Sequence, residues 1–257
     1  VDRRMREAKI IAVAGKGGVG KTSVSAMIVR ILTRKYPDAR ILAIDADPAV
    51  GLATALGVTV ESTMDDIRKA IVENVQKGQK KEAVECLGEA RNLMFDALKE
   101  QEGFAFLAIG RPEAAGCYCA VNAYLKEVIT MMAEQFDYVV IDGEAGIEQI
   151  NRRVMERVTH LILITDPSQK GLQVIKTIKK VADELVMYEA CGALVNRLPD
   201  TEMLKFLDFE KIPFLGSIGQ DSSLTEFDLK GENILDLPDS SLLAAGVGEA
   251  LEKLHIV

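Results

Sequence analysis

Residues 15–22 read GKGGVGKT, the G-x-x-x-x-G-K-T pattern of a phosphate-binding loop. Gly15, Gly17, Gly18 and Gly20 open backbone conformations closed to residues with a Cβ, so the loop's N–H groups can point at phosphate oxygens. Lys21 is the expected phosphate-gripping lysine, and Thr22 is placed to ligate Mg²⁺. The expected nucleotide-binding stretch is Gly15, Lys16, Gly17, Gly18, Val19, Gly20, Lys21, Thr22 and Ser23, aided by the start of the following helix. The pattern itself gives Lys16 no role.

Three further stretches end apolar runs in polar residues. In ILAIDADPAVG, Asp45 and Asp47 alternate with Ala46, so an extended backbone would send them to opposite sides. One could hold the water shell of Mg²⁺ and the other orient water toward a terminal phosphate; an ordinary acidic strand-to-loop transition is the alternative. YVVID followed by GEAGIEQ makes Asp142 a second metal-side carboxylate. Gly143 and Gly146 would let the next loop move when phosphate leaves, and Glu144 reads as a solvated loop carboxylate. ALVNRL ends in Asn196, whose amide matches an adenine edge, and Arg197, which could clamp the nucleotide; LGSIGQD at 215–221 is the expected other wall of a base pocket.

Elements must bring these residues together. IIAVA at 10–14 reads as a buried strand, and Val24, Met27, Ile28, Ile31 and Leu32 form one helical stripe after the loop. Strands are expected near 10–14, 41–45, 104–109, 138–142, 160–165, 191–195 and 213–217. Helices are expected at 21–36, 51–56, 120–135, 147–157, 169–187, 201–207 and 240–254. The alternation predicts an α/β fold, a mostly parallel sheet with helices on both faces. Ligands in such folds bind beyond the carboxyl ends of the strands. Residues 59–103 break the rhythm, with helical patterns at about 64–77 and 80–100 that include Ile67, Ile71 and Val75. A helical insert capping the sheet edge and a partner-binding element both fit.

The 257 residues, 48% of them hydrophobic, suit a single domain with a substantial core, and the net charge of −8 argues against a nucleic-acid partner. No apolar run approaches the ~18 residues of a membrane span, so no membrane partner is expected. VDRRMREAK reads as an exposed leader rather than a secretory signal, and four cysteines make no disulfide framework. The expected home is a reducing cytoplasm.

The loop with Lys16, the IDADP segment, VVIDGEAG and VNR together resemble the deviant Walker A ATPases, which include the MinD and ParA proteins, the arsenite ATPase and the nitrogenase iron protein. The resemblance implies a P-loop NTPase that works as an ATP-dependent homodimer. It implies that Lys16 reaches phosphates bound by the other subunit, that Lys21 grips phosphate, and that Thr22 and Asp45 serve Mg²⁺. Asp47 would orient or activate water, and Asp142 would be the switch aspartate, making Lys16, Asp47 and Asp142 the catalytic set. The IGQ at 218–220 departs from the proline many relatives carry after the isoleucine.

Cys117 and Cys119 flank Tyr118 and supply two thiolates, whereas zinc or nickel at a closed site needs four ligands. They are either unrelated thiols or half of a site completed across a two-fold axis. Cys86 and Cys191 read as buried apolar residues, and His160 and His255 lack ligand spacing. In this class, GCYC resembles the CooC-type nickel-insertion ATPases. That resemblance implies ATP/ADP and Mg²⁺ as cofactors, with Ni²⁺ or Zn²⁺ at paired cysteines. The implied client is a nickel enzyme, carbon monoxide dehydrogenase or acetyl-CoA synthase. Two other readings stay open: an iron–sulfur scaffold or reductase ATPase, and a ParA/MinD-like spatial organiser.

Overall fold

The computed structural model describes residues 7–47, 49–76, 92–110, 119–143, 154, 157–186 and 188–257. The IIAVA run forms the body of β1 (Lys9–Gly15). Ile11 and Val13 pack into one apolar cluster and Ala12 and Ala14 into another. A period of two with both sets buried is the mark of a strand covered on both faces, which is why the run is continuously apolar. β2 (Ile41–Asp45), β4 (Phe104–Ala108), β5 (Tyr138–Asp142), β6 (His160–Thr165) and β7 (Ala190–Leu198) follow the same logic, whereas β8 (Phe214–Gly219), at an edge, leaves Phe214 exposed. All seven expected strands are present. With a short additional strand, β3 (Lys99–Gln101), the sheet order is β3-β4-β2-β5-β1-β6-β7-β8, and every pair is parallel except β3–β4.

One face is covered by α1 (Lys21–Lys35), α2 (Gly51–Ala55) and α7 (Leu242–Lys253), through Val24, Met27, Leu52, Leu243 and Val247. The other is covered by α3 (Met64–Gln76), α4 (Cys119–Ala133) and α5 (Gln169–Leu185), through Ile67, Ile71, Ile129, Leu172 and Ile175. Each such side chain contributes about 1.5–3 kcal/mol by leaving water. The C-terminal helix therefore packs its apolar face into the core, and no described helix is long and apolar enough to cross a membrane.

The insert divides. Its first helix is α3, whose Ile67 and Ile71 cap the sheet. The second expected helix, about 80–100, is corrected at its end: Lys99–Gln101 forms β3, antiparallel to β4 across a turn in which Gly103 takes φ +84°. Residues 92–97 are helical, and 77–91 lie outside the described residues. The helix expected at 201–207 is a 3₁₀ segment, Thr201–Phe206. A further helix, α6 (Ser222–Lys230), follows β8, capped by the Asp221 carboxylate at its start and left-handed Gly231 at its end. The helix expected at 147–157 lies almost wholly outside the described residues.

Candidate nucleotide site

The strand order sets the carboxyl ends of β2, β5, β1, β6 and β7 side by side. Asp45, Asp142, Gly15, Thr165 and Asn196 stand at or near those ends.

The glycine loop leaves β1 through Gly15, where a Cβ would lie 2.1 Å from the Ile164 carbonyl oxygen. Only glycine fits. At Gly20, φ is +90° and a Cβ would approach the Asn196 amide nitrogen to 2.6 Å. Gly18 also has positive φ, whereas Gly17 has neither positive φ nor an atom within 4 Å of an added Cβ, so the conformational demand expected there is absent. Lys21 is buried, and its ammonium donates to the Lys16 carbonyl at 3.4 Å.

Asn196 and Arg197 hold this loop from β7. The Asn196 amide donates to the Val19 carbonyl at 2.8 Å, and its oxygen accepts from the Arg197 N–H at 2.8 Å. Arg197, at φ +57°, donates from Nη1 to the Gly18 carbonyl at 3.0 Å. The amide expected to face an adenine edge is thus engaged with loop backbone. On the expected far wall, the Asp221 carboxylate accepts from Ser241, Leu243, Ser223 and Leu224, so it fixes the starts of α6 and α7.

Asp45 and Asp142 face each other in register on neighbouring strands, both essentially inaccessible. Burial and then the Asp142 charge push Asp45 up to about 7, against N–H donors from Leu52, Asp47 and Ala53. Burial likewise pushes Asp142 up to about 6, against hydrogen bonds from Thr22 and Ser25 and the charge of Lys21. The Thr22 hydroxyl donates to Asp142 Oδ2 at 2.7 Å and Ser25 to Oδ1 at 2.9 Å. Two buried carboxylates, Asp45 raised in part by the Asp142 charge and Asp142 in part by that of Asp47, form with the threonine hydroxyl a hard-oxygen set that suits Mg²⁺.

Asp47 is half-buried in a turn beyond β2, not in an extended strand, so the alternation argument does not place it. Its N–H donates to Asp45 Oδ1 at 3.1 Å, and its carboxylate accepts from the Ala49 N–H at 2.9 Å. Val50 closes the turn at φ +53°, a costly conformation for a β-branched residue.

Lys16 is ion-paired within its own chain, its Nζ 2.7 Å from Asp166 Oδ2. Asp166 follows β6 and was not among the sequence candidates. The rule that useful residues follow each strand, applied to LITDPS, would have reached it. Its other oxygen accepts from the Ser168 hydroxyl, which caps α5 by accepting from the Gly171 N–H at 2.9 Å. Burial works upward on Asp166, but the Lys16 and Ser168 hydrogen bonds and the lysine's charge outweigh it, holding the carboxyl below its ordinary value.

Cys119 opens α4 after β4; Cys117, Cys86, Glu144 and Gly146 lie outside the described residues. Among the described residues no cluster of three or more His, Cys, Asp or Glu could hold a metal. Cys191 is buried, and burial pushes its thiol up to about 12, in keeping with an inert apolar role. His160 sits against the Thr159 hydroxyl, with burial lowering its basicity.

A family model described as an AAA domain matches residues 8–188. The chain belongs to this AAA-domain family and has the P-loop NTPase fold of the MinD and ParA proteins. This ATPase is 37% identical over 249 residues to an uncharacterized ATP-binding protein of Methanocaldococcus jannaschii, covering 95% of this chain and 98% of the relative. It is 30% identical over 239 residues to the carbon monoxide dehydrogenase accessory protein CooC of Rhodospirillum rubrum, covering 88% and 89%. Its fold matches the septum site-determining protein MinD of Pyrococcus horikoshii, solved with Mg-ADP, at a TM-score of 0.71 and 22% identity over 96% of each chain. The ATPase thus shares the eight-stranded, mostly parallel architecture of that class.

Proposed function

We propose that this ATPase is a metallochaperone whose two copies close over ATP, hold Ni²⁺ or Zn²⁺ between paired C-x-C turns, and deliver Ni²⁺ to a nickel enzyme. One observation carries the reading. A C-x-C pair, whose Cys119 starts the helix after β4, occurs in a chain 30% identical to a carbon monoxide dehydrogenase accessory protein. The client class, carbon monoxide dehydrogenase or acetyl-CoA synthase, follows from that likeness.

In this reading the loop from Gly15 to Ser23 wraps the phosphates, with Lys21 neutralising them from within the chain and Lys16 from the partner copy. Thr22 and Asp45 would hold Mg²⁺, which when bound supplies positive charge at the terminal phosphates. Asp142 keeps the Thr22 hydroxyl oriented, and its position at the end of β5 suits a switch that feels loss of phosphate. Asp47, in the turn just beyond β2, would orient the attacking water or take its proton. Asn196 and Arg197 act on the nucleotide by fixing the loop carbonyls. Cys117 and Cys119 of both copies give the cargo ion four thiolates, so its affinity falls as pH drops and protons compete.

Nickel stoichiometry tests the reading. One tight ion per two chains is expected in the wild type, with loss in Cys117→Ser/Cys119→Ser. One ion per chain, or tight binding without both thiols, rules it out. Iron with sulfide after anaerobic purification would mark a cluster protein instead.

A second reading, a ParA/MinD-like organiser, is favoured by 25% identity over 250 residues to the septum site-determining protein MinD of Synechocystis. ATP-dependent co-sedimentation with anionic vesicles or DNA would support it. The burial of the apolar face of α7 leaves that helix no stripe for a membrane.

A further inference from the structure

We propose that Asp166 is a positioning residue that holds Lys16 within its own chain until phosphates bound by a second copy compete for the lysine. The inference rests on the reading that Lys16 acts in trans.

Three observations point the same way. The pair is direct, Nζ to Oδ2 at 2.7 Å, and joins residues 150 positions apart. Its anion is built in. The second oxygen is taken by the Ser168 hydroxyl, and a Cβ on Gly171 would fall 2.2 Å from that oxygen and 2.5 Å from the Thr165 hydroxyl. The α5 turn is therefore shaped around this carboxylate, which cannot follow the lysine away. Lastly, the pair is breakable. Its side chains are 29% and 28% exposed, and ion pairs that wet contribute little. Lysine suits such a device better than arginine, because one ammonium on a flexible stem leaves without breaking a fixed fork.

A held Lys16 lowers the fraction of chains ready to pair, and the apparent affinity of pairing falls by that fraction. The pair also reaches the other lysine, since Lys21 donates to the Lys16 carbonyl at 3.4 Å.

The test is dimerisation by sedimentation velocity against a non-hydrolysable ATP analogue with Mg²⁺. Asp166→Asn should dimerise at about two- to fivefold lower nucleotide, the range set by a weak ion pair. ADP affinity should be unchanged. Asp166→Glu, which restores the charge, should return the requirement toward wild type. Gly171→Ala offers a second route, displacing the carboxylate without removing it, and should shift the requirement as Asp166→Asn does. In a Lys16→Ala background, Asp166→Asn should change nothing. An unchanged or higher requirement in both Asp166→Asn and Gly171→Ala overturns the latch, as does loss of thermal stability alone. The two readings separate on Lys16→Ala. If that variant dimerises like wild type, the trans role of Lys16 fails; if it is defective while Asp166→Asn is silent, only the latch fails.

Discussion

Thr22 donates its hydroxyl to Asp142 at 2.7 Å, tying the last residue of the phosphate-loop motif to the end of β5, 120 positions away. A buried carboxylate thereby depends on a residue whose usual task is a metal ion. Thr22→Val keeps the shape and removes the donor. It should destabilise the nucleotide-free protein by about 1–3 kcal/mol, the cost of an unsatisfied buried acceptor. Thermal unfolding without nucleotide checks this; Mg²⁺-dependent ATP binding, which in the proposed site uses the same hydroxyl, should also weaken, and a nucleotide titration with and without Mg²⁺ checks that.

Asp45 and Asp142 should make the nucleotide-free protein less stable as pH rises. Both are pushed up in the fold, to about 7 and about 6, from 3.8. A carboxyl raised in the fold binds its proton more tightly there than in the unfolded chain. Its contribution is present at low pH and is lost between the unfolded value and the folded one. Between about pH 4 and 7 both contributions should be lost, together several kcal/mol. Carboxylates held low, such as Asp166 and Asp221, act below this window. Melting temperature from pH 5 to 8 measures the slope; Asp45→Asn should flatten it, and Mg²⁺ with ADP should raise the high-pH end most. A flat wild-type profile would contradict the buried pair.

Asp47→Asn keeps the turn-forming acceptor for the Ala49 N–H and removes the charge. ATP should still bind, with turnover reduced about 10²–10⁴-fold. Single-turnover hydrolysis and dimer lifetime report this. Wild-type turnover would move the water-orienting role to another residue.

Gly171→Ala should cost about 1–3 kcal/mol, as overpacking does, because the new methyl meets the Asp166 carboxylate and the Thr165 hydroxyl, which must shift and disturb the hydrogen bonds they hold. Equilibrium denaturation checks it; a silent substitution would show the α5 turn to be looser than its geometry.

Cys191, with a thiol pushed up to about 12 by burial, should stay unlabelled by thiol reagents at pH 8 until the protein unfolds. Cys191→Ser should leave nickel stoichiometry untouched. Rapid native labelling would reopen it as a ligand.

The central strands are legible in the sequence because sheets covered on both faces demand unbroken apolar runs, as in HLILIT and ILAID. β3 is not legible. Its residues, Lys99, Glu100 and Gln101, carry no strand preference and are extended only because β4 lies beside them. α6 carried signals in Asp221 and Gly231 but buries no side chain, so it lacks the apolar stripe by which helices are found. The glycine loop, Thr22 and the strand-end aspartates are legible because their chemistry is local. The partners of Lys16 and Asn196 are not, since Asp166 and the Val19 carbonyl reach them only through the fold.

β3 also closes one edge of the sheet, the one that β4 would otherwise present to other chains. An exposed parallel edge such as β4 would recruit any passing strand and grow open-ended fibres. Three polar residues folded back antiparallel close it with lysine and glutamate. The symmetric pairing through nucleotide faces proposed above then meets no competition from strand addition beside β4, and what joins two copies can be finite and subject to the bound phosphate rather than open-ended.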